Sequence, residues 1–562
     1  MRCIVDIETN GLVEDASEIH CIVAKDIKTN EVYTFTEEEC YDKFRKFSKN
    51  IDNFIMHNGV SFDARILNNF NITSITPTKV TDTLLLSQLL YPEIEGGHSL
   101  SAWGERLNSP KKDYEDFTSY TPEMLEYCKQ DVEITHKLTK YINQNLYGCS
   151  LQAINLEHQV RAIIDQQETN GFMLDEQKAS LLVAKFTDEC SVIEQGLQKV
   201  FPPITHKRKS EKTGKQLKDK VEVFNPASRK QIAERLQTLG WKPKKKTEKG
   251  NIIVDEGVLN QIDLKEAKLI ANYLLLQKRI TQINSWRELA DERGRVHGKV
   301  LTLKTVTGRM AHHSPNMAQV PASYSPYGKE CRECWTVEDP SRYVLVGTDA
   351  SQLEIRCLAH YMEDTNFTRE VIDGDIHTSN QRMAGLQTRD QAKTFIYAMM
   401  YGAGASKIGS IVEGTKEDGD KLINKFMRNL PSFRDLKAKL DGASQGHSGN
   451  LRGQLKRIKG LDGRPLNIRS PHKSLNTLIQ GAGSIVCKTW LVCIMKKVHA
   501  YGLDVRLVAS IHDEYQFEVR KDHINSFCNI TKESMKQAEQ ILKLKCPMDN
   551  DFKIGKTWAE TH

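Results

Sequence analysis

Over residues 1–148 short β-rich runs alternate with helical stretches, the pattern of an α/β domain. Arg2 to Ile7 is a strand candidate and Ile19 to Asp26 is a second. Leu151 to Thr169 carries Ile154, His158 and Ile163 at helical spacing, and Lys265 to Glu288 reads as another long helix. After Gly294 the pattern turns mixed. Tyr343 to Thr348 is an apolar strand ending on Asp349, and Arg389 to Tyr401 is an amphipathic helix closed by Gly402 and Gly404. Leu503 to Ile511 and Tyr515 to Val519 are strands around a tight His512-Asp513-Glu514 turn. These elements predict a multidomain chain, α/β in its first part and α+β in its last.

Composition narrows the class. A chain of 562 residues is too long for one core, so three or four domains are expected. With 27% charged and 39% hydrophobic residues it reads as globular rather than disordered. No run approaches the roughly 18 continuous apolar residues that span a bilayer. The opening Met1 to Asp6 meets an acid too early for a secretory signal. The 13 cysteines are read as scattered without CxxC pairs, as free thiols in a reducing cytoplasm and without a structural zinc site.

The net charge of +6 is small, so its placement matters more than its sum. Lys207, Arg208, Lys209, Lys212, Lys215, Lys218 and Lys220 form one basic stretch within a middle region expected to be helical. Lys242, Lys244, Lys245, Lys246 and Lys249 form another. Such runs are usually solvated surface; beside a nucleic-acid enzyme they become candidates for sequence-blind phosphate binding.

Two sets of acids carry the chemistry. Asp6 and Glu8 lie two apart on a strand, so both side chains leave one face and call for a cation between them. Alone, such a pair is more often structural. Downstream follow His57-Asn58-Gly59-Val60-Ser61-Phe62-Asp63 and Tyr127-Cys128-Lys129-Gln130-Asp131. On a helix Tyr127 and Asp131 share a face, so a phenol stands beside a carboxylate and could orient a water.

In the second set, Asp349 ends a strand and Asp513 sits at a hairpin tip. Each also has an ordinary reading, Asp349 as a helix N-cap and Asp513-Glu514 as an acidic turn. Between them Arg389, Lys393, Tyr397 and Tyr401 recur every four residues along one helix face. Two cations followed by two aromatic rings suit a nucleoside triphosphate, although a basic edge with core tyrosines has the same spacing.

The N-terminal acids, in this order, resemble the three exonuclease motifs of the DnaQ-like, ribonuclease H-like proofreading nucleases. Asp349-Ala350-Ser351-Gln352-Leu353-Glu354, Arg389 to Gly402, and Ile511-His512-Asp513-Glu514 resemble motifs A, B and C of family A DNA polymerases. Thr307-Gly308-Arg309 and Asn476 with Gln480 complete the set. Within the family the wording is most similar to the replicative polymerase of short-tailed (podovirus or autographivirus) bacteriophages.

The resemblance implies a ribonuclease H-like 3′-5′ exonuclease domain followed by a right-hand polymerase. Its expected divisions are exonuclease 1–148, thumb and connecting helices 149–300, palm 301–362, fingers 363–478 and palm again 479–562. It implies two Mg²⁺ or Mn²⁺ ions at each site. Asp6, Glu8, Asp63 and Asp131 would hold one pair, with Tyr127 catalytic; Asp349, Ala350 and Asp513 would hold the other, with Glu514 and Lys393 catalytic. His377, Arg389, Lys393, Tyr397, Tyr401 and Glu354 would bind the nucleotide, with Glu354 and Tyr397 together crowding out a 2′-hydroxyl. Arg309, Gln319, Asn476, Gln480 and His512 would bind DNA.

Primer-template DNA, deoxynucleoside triphosphates, a phage primase-helicase and a single-strand binding protein are the expected partners of a monomer in the bacterial host cytoplasm. Residues 201–223 are too short and lysine-rich to resemble the thioredoxin-binding insertion of the phage enzymes. Thioredoxin dependence is therefore not expected. A repair or organellar family A polymerase, and less so a single-subunit RNA polymerase, remain the alternatives.

Overall fold

The strand Arg2–Thr9 carries Cys3, Ile4, Val5 and Ile7, all essentially inaccessible, and so lies at the centre of a sheet covered on both faces. In the computed structural model, which describes residues 1–209, 216–445 and 456–562, it pairs antiparallel with Ile19–Asp26 and parallel with Asn53–Met56. Val32–Thr36 and Val80–Asp82 form the edges of this five-stranded sheet. Ile4, Val23 and Ile55 pack on Met124, Cys128 and Val132 of the helix Pro122–Gln144; Cys3, Val5 and Ile22 face Phe44, Leu67 and Leu85 on the other side. The first strand runs two residues beyond the sequence expectation, which puts Glu8 inside the pleat with Asp6.

The second sheet has four antiparallel strands in the order Val505–Ile511, Glu514–Arg520, Tyr343–Ala350, Asn550–Gly555. Behind it lies the helix Ser474–Ala500, long and apolar enough by length and composition to cross a membrane, but with 94% of that window buried in the protein. This helix crosses the expected 478/479 division. It is also held by charge. Lys488 Nζ donates to both oxygens of Glu157 at 2.8 Å, and Arg464 bridges Glu157 (2.6 Å) and Asp462 (2.7 Å), all four side chains within 2% of full burial. The group joins the helix Leu151–Asn170, the core helix and the Arg457–Asn467 hairpin; losing one partner would strand a buried charge.

Three expectations need correction here. The basic stretch is not helical: Ile204–Lys209 and Gln216–Glu222 pair as a two-stranded antiparallel ribbon. Its residues are polar on both faces and bury no helical stripe, so no period was there to read; Lys212 and Lys215 lie outside the described residues. Leu503 precedes its strand, which starts at Val505. Cys331 and Cys334 do form a CxxC pair, both buried and free, and among the described residues the one His/Cys/Asp/Glu cluster with metal spacing lies elsewhere. The helices Glu176–Val200 and Lys265–Glu288 pack together through Leu182, Phe186, Leu276 and Ile283 as the middle region's core.

Candidate active sites

The alternation of the first strand sends Asp6 and Glu8 to one face, where Cys128 of the helix Pro122–Gln144 meets them. Ligand atoms of these three residues lie within 4.8 Å of one another, and the Cys128 thiol donates to Asp6 Oδ2 at 3.4 Å. Asp63 opens the helix Asp63–Asn69 and is buried; Asp131, one turn beyond Tyr127, is buried too. Loss of water pushes the Asp6 carboxyl well up, with Glu8, Asp63 and Asp131 repelling it further. Burial likewise lifts Glu8 to about 9 and Asp63 to about 7. Asp131 Oδ1 is buried without any hydrogen-bond partner. Crowded acids, raised together and with an oxygen left unpaired, fit divalent cations held by hard oxygen donors.

The Tyr127 ring is fixed by Tyr114 and Phe117 at centroid distances of 5.6 and 5.9 Å, with Lys111 Nζ over it at 4.5 Å.

In the second sheet Asp349 stands opposite Glu514 on one side and Asp551 on the other. Its tip meets solvent, yet loss of water around the rest of the group, then Asp513, Glu514 and Asp551, push it up to about 8. Asp513 belongs to a two-residue hairpin turn in which His512 takes φ +58, the left-handed geometry that such turns require. The Ala350 N–H donates to the Asp513 carbonyl at 3.1 Å, which ties the strand end to the turn. Burial raises Asp513 as well.

Asp349 is no N-cap: the helix Leu353–Met362 is preceded by Gln352 at φ +51, and Asp349 stays in the strand. Glu514 is not at the hairpin tip either. It starts the next strand with its carboxylate taken up by the Trp558 indole (2.7 Å), Gln516 Nε2 (2.6 Å) and His562 Nδ1 (2.6 Å). Burial alone would raise it, but His562, Arg332 and Trp558 hold it below the usual carboxylate range. These three contacts tie the start of the strand to the C-terminal segment.

The helix carrying the four-residue stripe runs Arg389–Met400, with Tyr401 as its C-cap. Arg389 Nε donates to Asp375 Oδ2 at 2.8 Å, and Asp375 also caps the helix that begins at Ile376 and carries His377. His377 is lowered by burial and then by Arg389 and Lys393, so these three converge, and its Nδ1 is buried without a partner. Glu354 is hydrogen-bonded to Tyr401. Its Oε2 accepts from the Tyr401 hydroxyl and its Oε1 from Arg309, both at 2.7 Å, while the Tyr397 ring lies 6.3 Å from that of Tyr401. Asn476 and Gln480, one turn apart on the core helix, are half-buried, with Asn476 Oδ1 unpartnered. Gln319 lies on a groove of about 580 Å³ with Gln277, Thr281, Ser285 and Asn316.

Residues 204–560 match DNA polymerase family A, and residues 4–147 match a 3′-5′ exonuclease family. The chain belongs to DNA polymerase family A. It is a DNA-directed DNA polymerase with a 3′-5′ exonuclease domain, which sets the RNA polymerase reading aside. It is 31% identical to the DNA-directed DNA polymerases of Enterobacteria phage T3 and Escherichia phage T7, over 700 aligned positions and 99% of each chain. The thermostable DNA polymerase I of Thermus aquaticus is 26% identical over 72% of this polymerase and 48% of its own length. In fold it resembles the polymerase domain of Pol1 from M. smegmatis, solved with DNA primer-template and dNTP, at a TM-score of 0.81 and 16% identity over 100% and 96% of the two chains.

Sequence reading missed several participants in these sites. Lys111 is one of two adjacent lysines in an irregular segment, and Cys128 hides between the recognised Tyr127 and Asp131. Asp551 reaches Asp349 only through strand pairing, and Trp558 and His562 reach Glu514 from far along the chain.

Proposed function

We propose that this polymerase replicates phage DNA as a monomer in the cytoplasm of a bacterial host, through the following assignment of residues. Two Mg²⁺ or Mn²⁺ ions at each site would supply activation of the attacking oxygen and charge neutralisation at the leaving oxygen. Asp6, Glu8 and Asp131 hold them for editing, with Asp63 assisting through water and the Tyr127 phenol orienting the water that attacks. Asp349 and Asp513 hold them for synthesis, with the Ala350 backbone beside them.

His377, Arg389 and Lys393 take the triphosphate oxygens, Lys393 also being placed to give a proton to departing pyrophosphate. Tyr397 lies against the sugar and Tyr401 near the templating base. Arg309, Gln319, Asn476, Gln480 and His512 touch the new duplex in the minor groove. Acceptors common to every correct pair are presented there, so pairing geometry is tested without reading sequence. On this assignment the four-stranded sheet is the palm, residues 363–478 are the fingers and 149–300 the thumb with its connecting helices.

The observation that supports it most is the meeting of Asp349 and Asp513, delivered by a strand end and a turn that share a 3.1 Å hydrogen bond. The test is the purified protein on a primed template. With nucleotides and Mg²⁺ the primer lengthens, without nucleotides it shortens, and a chelator stops both. Digestion that survived the chelator would overturn the metal assignment.

Glu354 is held at both oxygens, so it is a rigid wall rather than a mobile acid. Glu354→Ala is expected to raise ribonucleotide incorporation relative to deoxyribonucleotide by about 10- to 200-fold, the range for filling or opening one small part of a pocket. Single-nucleotide kinetics with the two substrates measure it.

The ribbon of Ile204–Lys209 and Gln216–Glu222 carries Lys207, Arg208, Lys218 and Lys220 exposed, and these cations are assigned to hold DNA phosphates directly. Replacing all four with serine should weaken primer-template binding and reduce the salt slope by about one unit for each phosphate that is no longer neutralised. Fluorescence anisotropy across a salt series tests this, and strong stimulation of extension by added thioredoxin would argue for a protein partner instead. A primase-helicase and a single-strand binding protein are the further partners we assign.

A further inference from the structure

Lys111 is the cation that acts on Asp6, Glu8 and Asp131 alike, lessening the repulsion among them. Its Nζ lies 2.5 Å from Asp131 Oδ2, while Oδ1 of the same carboxylate is buried and unpaired. The ammonium group therefore occupies one of the two oxygens that Asp131 offers to a metal. The side chain is a quarter exposed, and residues 110–116 form neither helix nor strand. The start of this segment is anchored by Gln130 Nε2, which donates to the Pro110 carbonyl. The same ammonium lies 4.5 Å from the ring centre of Tyr127, itself braced by Tyr114 and Phe117, so an aromatic face stands beside it as well as the carboxylate.

We propose that Lys111 is a resident counter-cation that keeps the editing site from loading metal fully until a DNA phosphate arrives and draws its ammonium group off Asp131. Two positive charges compete for one carboxylate at close range, so lysine and metal weaken each other there. A phosphodiester is an anionic partner of equal charge, which lysine engages as a mobile point charge on a flexible stem. Single-stranded DNA then tightens metal binding, and by linkage metal tightens binding of the strand by the same factor. Without a frayed end the acids stay neutralised by the protein itself, and a hydrolytic site is not left armed beside a paired primer. Lys111 is on this reading a positioning residue.

The proposal rests on the two-metal reading of the editing site, and the experiment separates the two. Mn²⁺ binding to the full-length protein is followed by the free-ion electron paramagnetic resonance signal, with and without a digestion-resistant phosphorothioate single strand. The ions lost in Asp6→Ala define the editing site. Lys111→Met is expected to bind these ions at least about tenfold more tightly without DNA, and to lose the tightening that DNA causes in the wild type. Lys111→Arg should keep that tightening. Primer extension, which uses the other site, reports that each variant is folded, and Lys111→Gln replaces Lys111→Met if that one is not.

Equal Mn²⁺ affinity in the wild type and Lys111→Met, or a DNA effect that persists in Lys111→Met, would overturn the role of Lys111 alone. No ion lost in Asp6→Ala would overturn the metal reading, and this proposal with it.

Discussion

Asp6→Ala combined with Glu8→Ala stops digestion of single-stranded DNA by at least about a thousandfold and leaves primer extension unchanged. Both acids leave one face of one strand, and their oxygens close on the Cys128 sulfur within 4.8 Å. Losing them removes two of the anionic donors that would hold the ions, whose charge stabilisation is worth several kcal/mol in the transition state. The same substitutions should not harm the fold, because in the metal-free protein these acids are a burden.

The sign follows from the raised values. Glu8 reaches about 9, Asp63 about 7, and Asp6 lies well above its ordinary range, chiefly through burial. A carboxyl that holds its proton more tightly folded than unfolded stabilises the fold at low pH and loses that contribution as pH rises through the folded value. In a chelator the wild type should therefore lose melting temperature relative to the double variant as pH rises from about 4 to about 9. Added Mg²⁺ should raise the melting temperature of the wild type at pH 8 and change that of the double variant less. Equal digestion by wild type and variant, both folded, would falsify the editing assignment.

How far the chain could be read depended on whether a period reached the site. Strand alternation put Asp6 and Glu8 together, and the four-residue stripe from Arg389 gave the correct helix to within one residue. Asp349 and Asp513 were legible as the ends of apolar runs, since buried strands leave their acids at the rim. The ribbon at 204–222 was not legible, because a strand exposed on both faces has no hydrophobic alternation. Glu354 and Tyr397 were read as neighbours of the sugar, and the hydrogen bond from Tyr401, the next position along the same stripe, to Glu354 was not foreseen. Periodicity names a face but not which member of it reaches a partner on another element. The surroundings of Glu514 were not legible either. Motif position beside Asp513 suggested catalysis, and its contacts with Trp558 and His562, far along the chain, belong to no local pattern. Lys111 belongs to no pattern, and three-dimensional proximity alone makes it matter.

Asp513→Ala abolishes primer extension, by at least about a thousandfold, while single strands are still digested at the wild-type rate. The turn that carries Asp513 is short and locally determined, with His512 at φ +58 and Ile511 paired to Glu514, so truncating the side chain leaves the hairpin in place. The Ala350 hydrogen bond reaches the Asp513 backbone and survives the substitution too. What disappears is one of two carboxylates lifted chiefly by burial, Asp349 to about 8 with Asp513 adding to the rise.

That value sets a second signature. At limiting Mg²⁺ the ions must displace a proton from Asp349, so extension should rise with pH up to about 8 and level off beyond it. At saturating Mg²⁺ the rise should move to lower pH, since metal binding stabilises the ionised form. Asp349→Asn has no proton to release and should lose extension as Asp513→Ala does, yet in a chelator it should melt higher than the wild type at pH 8 and equally near pH 4. Loss of activity together with a gain in metal-free stability separates a metal-holding acid from one that merely supports the sheet, for which both would fall. If Asp349→Asn lowered stability at pH 8 and digestion fell with extension, the two acids would be structural and the separate-site assignment would fail.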